Sequence, residues 1–114
     1  MTEQKTLEKA QLLQQQLQAV MVQKESLRMQ LNETENALKE MAKSEDNEVY
    51  KIAGPLLLKA DKKGVTDELQ ERKKFINLKI NTFEKSERKL TDELNELRKG
   101  LETPAGKGEI KVSG

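Results

Sequence analysis

The chain contains no cysteine and no histidine. The first absence excludes disulfides, thiolate nucleophiles and cysteine-based metal sites, and the second removes the side chain that most often acts as a general base or metal ligand. Acid–base chemistry would fall to carboxylates, but the Asp and Glu residues follow helical charge patterns or turns, where solvated faces and i,i+4 pairs account for them. No phosphate-binding loop, dinucleotide-binding glycine motif or nucleophile elbow is present. The sequence therefore predicts no enzyme, no cofactor and no metal.

Aromatic residues are also scarce, at 3% with no Trp, and hydrophobic residues make up 34% of the 114 residues. This is too little for a large globular core and is typical of long helices or a coiled coil. Charged residues reach 36%, but 21 Lys+Arg nearly cancel 20 Asp+Glu, so the net charge of +1 gives no reason to expect nucleic acid or a membrane as partner. No apolar run approaches the roughly 20 residues of a membrane span, and the N-terminus has no signal-peptide core. We expect a soluble, cytoplasmic protein.

The chain is organised around residues 48–64, EVYKIAGPLLLKADKKG. Strand-forming residues lie on both sides of Gly54-Pro55, and Gly-Pro between two apolar runs is a turn signal. The pattern predicts a β-hairpin over 48–62, with strands at 48–53 and 56–61. Because a lone two-stranded hairpin is marginally stable in water, we expect it to pair with other subunits.

The residues before the hairpin, 2–43, predict one long helix, since good helix formers dominate and no Gly or Pro occurs before Gly54. Taken as heptad positions a and d, eight of ten positions are apolar, which favours a coiled coil. These seam positions are Ala10, Leu13, Leu17, Val20, Lys24, Leu27, Leu31, Thr34, Leu38 and Met41.

A second helix is predicted over 66–100, with Thr66 as N-cap and Arg98-Lys99-Gly100 as its end. Eight of its ten seam positions are again apolar. They are Leu69, Lys73, Ile76, Ile80, Phe83, Glu87, Leu90, Leu94, Leu97 and Leu101. The tail, residues 102–114, contains Pro104 and three glycines, and we expect it to be flexible.

The two seams mirror each other. If the helices fold back antiparallel about the hairpin, facing residue numbers should sum to a constant near 110, as Val20 does with Leu90. In this register the two polar seam residues of the central region, Lys24 and Glu87, fall opposite each other. A charge pair in a seam costs some stability but helps to fix register.

The apolar residues near the chain ends suggest a contact surface, because frayed helix ends expose seam leucines and exposed apolar patches often mark interaction sites. The candidates are Leu7, Leu12, Leu13, Leu94, Leu97 and Leu101. The competing interpretation is partial burial at the flank of the seam. Both interpretations, a contact surface and partial burial, apply also to Met21, Val22 and Met29 in the first helix. For Phe75 and Leu78 in the second, we favour packing against neighbouring subunits.

The basic cluster Arg72-Lys73-Lys74 is the nearest approach to a phosphate-binding site. It is interleaved with Glu71 and Glu84, so a solvated helix face is the favoured interpretation.

The hairpin sequence 49–59, VYKIAGPLLLK, resembles the VYK-x-x-G-P-x-L-x-K stretch of beta-class prefoldin subunits, the class that includes eukaryotic subunit six. The single hairpin fits this class, since alpha-class subunits carry two. Residues 1–101 would then form one prefoldin-like domain. The fold class implied is mainly α, a long antiparallel two-helix coiled coil joined by one β-hairpin that oligomerises into a β-barrel.

The resemblance implies a hexamer of two alpha-class and four beta-class subunits. Such assemblies hold unfolded proteins between coiled-coil tips without ATP and deliver them to a group II chaperonin. The leucines at the chain ends would contact clients, and the apolar hairpin residues would serve subunit assembly. Those residues are Val49, Tyr50, Ile52, Leu56, Leu57 and Leu58.

Two alternatives remain. One is a structural coiled-coil adaptor that oligomerises through its hairpin and holds fixed partners. The other is a nucleic-acid-binding arm, which the balanced charge disfavours; it would reveal itself by a steep salt dependence of binding.

Overall fold

The computed structural model describes the backbone of residues 3–107 and the side chains of residues 3–100. Helix α1 spans Glu3–Lys43, strands β1 and β2 span Glu48–Ala53 and Leu56–Asp61, and helix α2 spans Lys62–Lys107. The predicted fold class, two long antiparallel helices joined by one hairpin, is therefore confirmed.

The hairpin closes through a two-residue loop. Ala53 pairs with Leu56, and the ladder continues to Glu48 opposite Asp61. Gly54 has a φ of 61°, the backbone region that two-residue hairpin turns require and that favours glycine. Pro55 follows, where its missing N–H removes no bond from the ladder.

Helix α2 begins at Lys62, four residues before the predicted N-cap Thr66. The cap is Asp61, whose Oδ2 accepts a hydrogen bond from the Gly64 backbone N–H at 2.9 Å. This bond satisfies one of the backbone donors that a helix N-terminus leaves unpaired, so Lys62-Lys63-Gly64 forms the first turn.

The other end of α2 also differs from the prediction, because the helix continues past Gly100 to Lys107. Among the described glycines, only Gly54 has a positive φ, so Gly100 does not form the left-handed cap that was expected. Residues 102–107, predicted to be flexible, therefore have helical backbone. Residues 108–114 lie outside the described part of the chain, and a flexible tail there remains a prediction.

Hydrogen bonds join the end of α1 to the start of α2. The Lys62 backbone N–H donates to the Asn47 carbonyl at 2.7 Å, and its Nζ donates to the Ser44 carbonyl at 2.5 Å. A lysine on the last carbonyls of a helix satisfies acceptors that have no partner within the helix and complements the negative end of the helix dipole. The base of the hairpin is therefore fixed to both helices by hydrogen bonds, with no free linker between them.

The chain divides into two units. The hairpin unit is Glu25–Asn81, and the terminal unit combines the described residues of Met1–Lys24 with those of Thr82–Gly114. In the hairpin unit, Leu27, Thr34, Ile76 and Ile80 are buried.

In the terminal unit the buried residues are Leu13 and Leu94. Every predicted seam position with a described side chain, in either unit, is buried or half-buried. The heptad pattern therefore identified the helix faces that pack.

Candidate assembly and client-binding surfaces

The hairpin exposes apolar side chains on both of its faces. Alternation along β1 and pairing with β2 place Tyr50, Ile52 and Leu57 on one face, which we call the tyrosine face. Their exposed fractions are 64%, 77% and 64%. A Glu48–Lys59 ion pair at 3.6 Å lies on the same face. Three large apolar side chains this exposed on six-residue strands form an apolar patch, a feature that often marks an interaction site.

The opposite face of the hairpin, called here the lysine face, contains Val49, Lys51, Leu56 and Leu58. Lys51 Nζ lies 2.9 and 3.0 Å from the two carboxylate oxygens of Glu68 in the second turn of α2. Val49 is half-buried, whereas Leu56 and Leu58 are exposed. The Lys51–Glu68 pair joins the lysine face to α2, and no sequence pattern indicated it, because the two residues are 17 positions apart.

The two outer edges of the hairpin are unpaired within the described part of the chain, since its sheet contains only β1 and β2. An open edge presents backbone N–H and C=O groups that pair readily with another strand. Edge pairing and apolar burial together are the chemistry of β-strand addition. All six residues predicted to serve assembly therefore lie in strands with open edges.

The leucines predicted to contact clients separate into two groups. Leu7 and Leu12 are each 53% exposed on α1. Leu13 and Leu94 are 6% and 5% exposed, so they form the core of the terminal unit. Leu97 is half-buried, and the side chain of Leu101 lies outside the described residues. Direct contact with a partner is open to Leu7 and Leu12, whereas the buried pair requires the helix ends to separate.

The other apolar residues outside the seam are exposed as well, including Met21, Val22 and Met29 on α1. On α2, Phe75 and Leu78 are 59% and 64% exposed. Lys79 Nζ lies 4.8 Å from the centroid of the Phe75 ring, a cation–π contact that covers part of one ring face. Packing of Phe75 and Leu78 against a neighbouring subunit remains a prediction.

Neither a metal centre nor a membrane segment is found in the described residues. They contain no group of three or more acidic, His or Cys side chains arranged to hold a metal ion. Likewise, none of the described helices has a stretch long and apolar enough to cross a membrane.

Comparison with known proteins identifies the family. The sequence model described as "Prefoldin subunit" matches residues 4–107. The chain belongs to the prefoldin subunit family. The prefoldin subunit beta of Thermococcus onnurineus is 38% identical over 91 residues, covering 79% of this chain and 78% of that protein. The prefoldin subunit beta of Methanothrix thermoacetophila is 38% identical over 104 residues, covering 90% and 87%.

The fold agrees with a solved member of the family. The crystal structure of the prefoldin beta subunit from Thermococcus strain KS-1 superposes with a TM-score of 0.82 at 34% identity, covering 87% of this chain and 88% of that one. The resemblance to beta-class prefoldin is confirmed. The chain is thus a prefoldin-type chaperone subunit, which implies a complex with other prefoldin subunits.

Proposed function

We propose that this chain is the beta-class subunit of a cytoplasmic hexamer with two alpha-class and four beta-class members. The hexamer binds unfolded proteins through its terminal leucines without ATP and delivers them to a group II chaperonin. The exposure of Leu7 and Leu12 carries the client-binding part of this proposal. Both side chains present apolar surface to solvent, so an unfolded chain can bury them without unfolding the helices.

Assembly is supported by the hairpin. Each hairpin offers two open edges and the tyrosine face, so hairpins from several subunits can pair edge to edge and close into a barrel, which removes the open edges. Clients would then contact several subunits at once. Because linked weak contacts raise the apparent affinity without any new interaction, a few exposed leucines per subunit suffice.

The test is suppression of aggregation of a denatured model protein by the chain assembled with an alpha-class prefoldin subunit. Leu7→Ser and Leu12→Ser should each weaken suppression, since each removes apolar area that the client buries. Met29→Ser is the matched control, because Met29 is 60% exposed on the same helix but lies outside the terminal leucines. Equal suppression by all three variants would contradict client binding at Leu7 and Leu12.

The second candidate, a structural adaptor, rests on the same exposed hairpin and predicts a different result. An adaptor would assemble through the tyrosine face, but neither the unmodified assembly nor any variant would suppress aggregation. Failure to suppress with intact assembly therefore favours the adaptor.

A further inference from the structure

An unusual distribution of charge divides the terminal unit. Residues 10–23 of α1, AQLLQQQLQAVMVQ, contain no charged residue and six glutamines. In the same unit, ten of the sixteen residues 84–99 of α2 are charged. The chain is 36% charged overall, yet this stretch of α1 has no charge. A helix face that only has to be solvated would be expected to carry charged residues like the rest of the chain.

The uncharged segment is mostly solvent-facing. Only Ala10, Leu13, Leu17 and Val20 are buried or half-buried, and these are its seam positions. Gln11, Gln14, Gln15 and Gln18 are exposed and border one shallow depression on the helix surface. At 100° per residue these four positions lie within one face of the helix, together with Leu7 before them and Val22 after them. We call this face the glutamine stripe.

The amides of the glutamine stripe are available for intermolecular bonds. Within residues 3–100, the side chains of Gln11, Gln14, Gln15 and Gln18 make no hydrogen bond or ion pair with another residue. A primary amide has two N–H donors and a carbonyl acceptor, so it pairs with the C=O and N–H groups of any peptide backbone whatever the side chains. No fixed charge has to be desolvated when a partner covers this face.

We propose that the glutamine stripe is a second contact surface for non-native polypeptide, extending the proposed site from Leu7 to Val22. This inference rests on the proposed function, since the glutamine stripe would contact the same unfolded client that Leu7 and Leu12 bind. The occupant is an extended, unfolded chain rather than a folded partner, because amides that read backbone groups need a backbone whose N–H and C=O are not already paired. The stripe is continuous with the exposed Leu7 and Leu12. One client segment lying along α1 could therefore place apolar side chains on the leucines and backbone groups on the glutamines.

The chemistry gives a specific signature. Recognition by neutral amides and apolar groups responds weakly to salt and is independent of the client's net charge. Adding charge of either sign to the stripe should weaken capture, because the new charge loses hydration when the client covers it.

The experiment uses two pairs of substitutions, Gln15→Glu with Gln18→Glu, and Gln15→Lys with Gln18→Lys, in the assembly with an alpha-class subunit. Gln, Glu and Lys have similar helix propensities, so the fold is retained and is checked by circular dichroism. Each variant is tested against one acidic and one basic denatured protein. Both variants should bind both clients about fivefold more weakly or worse. The same substitutions at Gln70 and Asn77, which are exposed on α2, should have no effect.

Several results would overturn the inference. One is opposite effects of the Glu and Lys pairs on clients of opposite charge, which is simple electrostatics; another is unchanged binding. In both cases the unmodified assembly still suppresses aggregation, so the proposed function survives. If the unmodified assembly binds no client, the proposed function itself fails, and the inference fails with it.

A second measurement does not depend on charge. A photo-crosslinking benzoylphenylalanine at Gln15 should react with the denatured client more than one at Glu93, an exposed position of α2 in the same unit. Crosslinking mainly to another subunit or to a chaperonin, or equally at both positions, would also overturn the inference.

Discussion

Lys24 of α1 and Glu87 of α2 face each other across the helix seam, with Lys24 Nζ 2.5 Å from Glu87 Oε1. Their side chains are only 18% and 27% exposed, so the pair is partly shielded from water. The antiparallel register predicted this pairing across 63 residues of sequence, because facing seam positions have residue numbers that sum to about 110. A charge pair placed in an apolar seam specifies alignment, since a shifted register would leave each charge against apolar side chains.

Reversing one charge should be costly, and reversing both should restore most of the loss. Lys24→Glu places two carboxylates together in a partly buried site, and we expect the free energy of unfolding to fall by about 2–4 kcal/mol. Adding Glu87→Lys recreates an opposite-charge pair. Chemical denaturation at fixed protein concentration measures both variants. Equal stability of the single and double variants would show that the pair is not coupled.

Thr34 is a buried polar residue in the apolar seam. It is 5% exposed, and its Oγ1 donates a hydrogen bond to the Gln30 carbonyl of the same helix at 2.8 Å. Because this bond stays within α1, the hydroxyl does not tie the helices together. Thr34→Val keeps the β-branched shape and buries a methyl group in its place. We expect a gain in stability of about 0.5–1 kcal/mol.

The matched control for this change is Thr34→Ser, which keeps the hydroxyl and loses the methyl. It should lower the free energy of unfolding by about 1 kcal/mol. Loss of stability in the Val variant as large as that in the Ser variant would mean that the hydroxyl has a role in the seam.

Asp61 and Gly64 should behave as a coupled pair at the start of α2. Asp61→Ala removes the N-cap and should cost about 1 kcal/mol, whereas Asp61→Asn keeps an acceptor and should cost less. A Cβ at Gly64 would lie 3.0 Å from Asp61 Oδ1, so Gly64→Ala should give less than its usual gain in helix propensity.

A double-mutant cycle on thermal unfolding tests this coupling. In the Asp61→Ala background the carboxylate is gone, and Gly64→Ala should then stabilise by up to about 1 kcal/mol. Additive effects of the two substitutions would contradict the cap geometry.

The helix seam could be predicted from the sequence because its signal is repeated over many heptads, and an error at one position is corrected by the others. Even the alignment of the helices followed from the mirrored spacing of the two seams, and the observed Lys24–Glu87 pair agrees with it. The ends of α2 could not be predicted in this way, since each depends on a single local choice. Lys62-Lys63-Gly64 is equally suited to a turn or to a first helical turn, and the Asp61 carboxylate decides between them.

The assignment of the terminal leucines to a contact surface stays a prediction, and the structure shows that their exposure differs. Leu12 and Leu13 are adjacent and chemically identical, yet one is 53% exposed and the other 6%. The two differ only in their heptad position, since Leu13 lies in the seam and Leu12 does not. The Lys51–Glu68 pair could not have been found at all, because it depends on the angle at which the hairpin leaves α2.

The seam alignment can be tested by crosslinking within the terminal unit. Val20→Cys with Leu90→Cys should form a disulfide, since both residues are half-buried seam positions that the register places face to face. The chain has no native cysteine to compete. The control combines Val20→Cys with Leu94→Cys, four residues or about 6 Å further along the helix, and should not oxidise. Efficient oxidation of the control pair but not the test pair would reject the register.

The tyrosine face should be required for assembly but not for the fold of the single chain. Ile52 is 77% exposed, so Ile52→Asp should change the stability of the isolated chain by no more than about 0.5 kcal/mol. In an assembled barrel the same carboxylate would be buried without a partner, at a cost of several kcal/mol. Light scattering of the chain mixed with an alpha-class subunit should therefore show loss of the large complex.

Met29→Asp is the control for this last change, because Met29 is 60% exposed and lies on α1 rather than on the hairpin. It introduces the same charge and should leave the complex intact. If the two variants assemble equally well, subunits do not meet through the tyrosine face. Assembly would then have to depend on the lysine face or on the exposed Phe75 and Leu78 of α2.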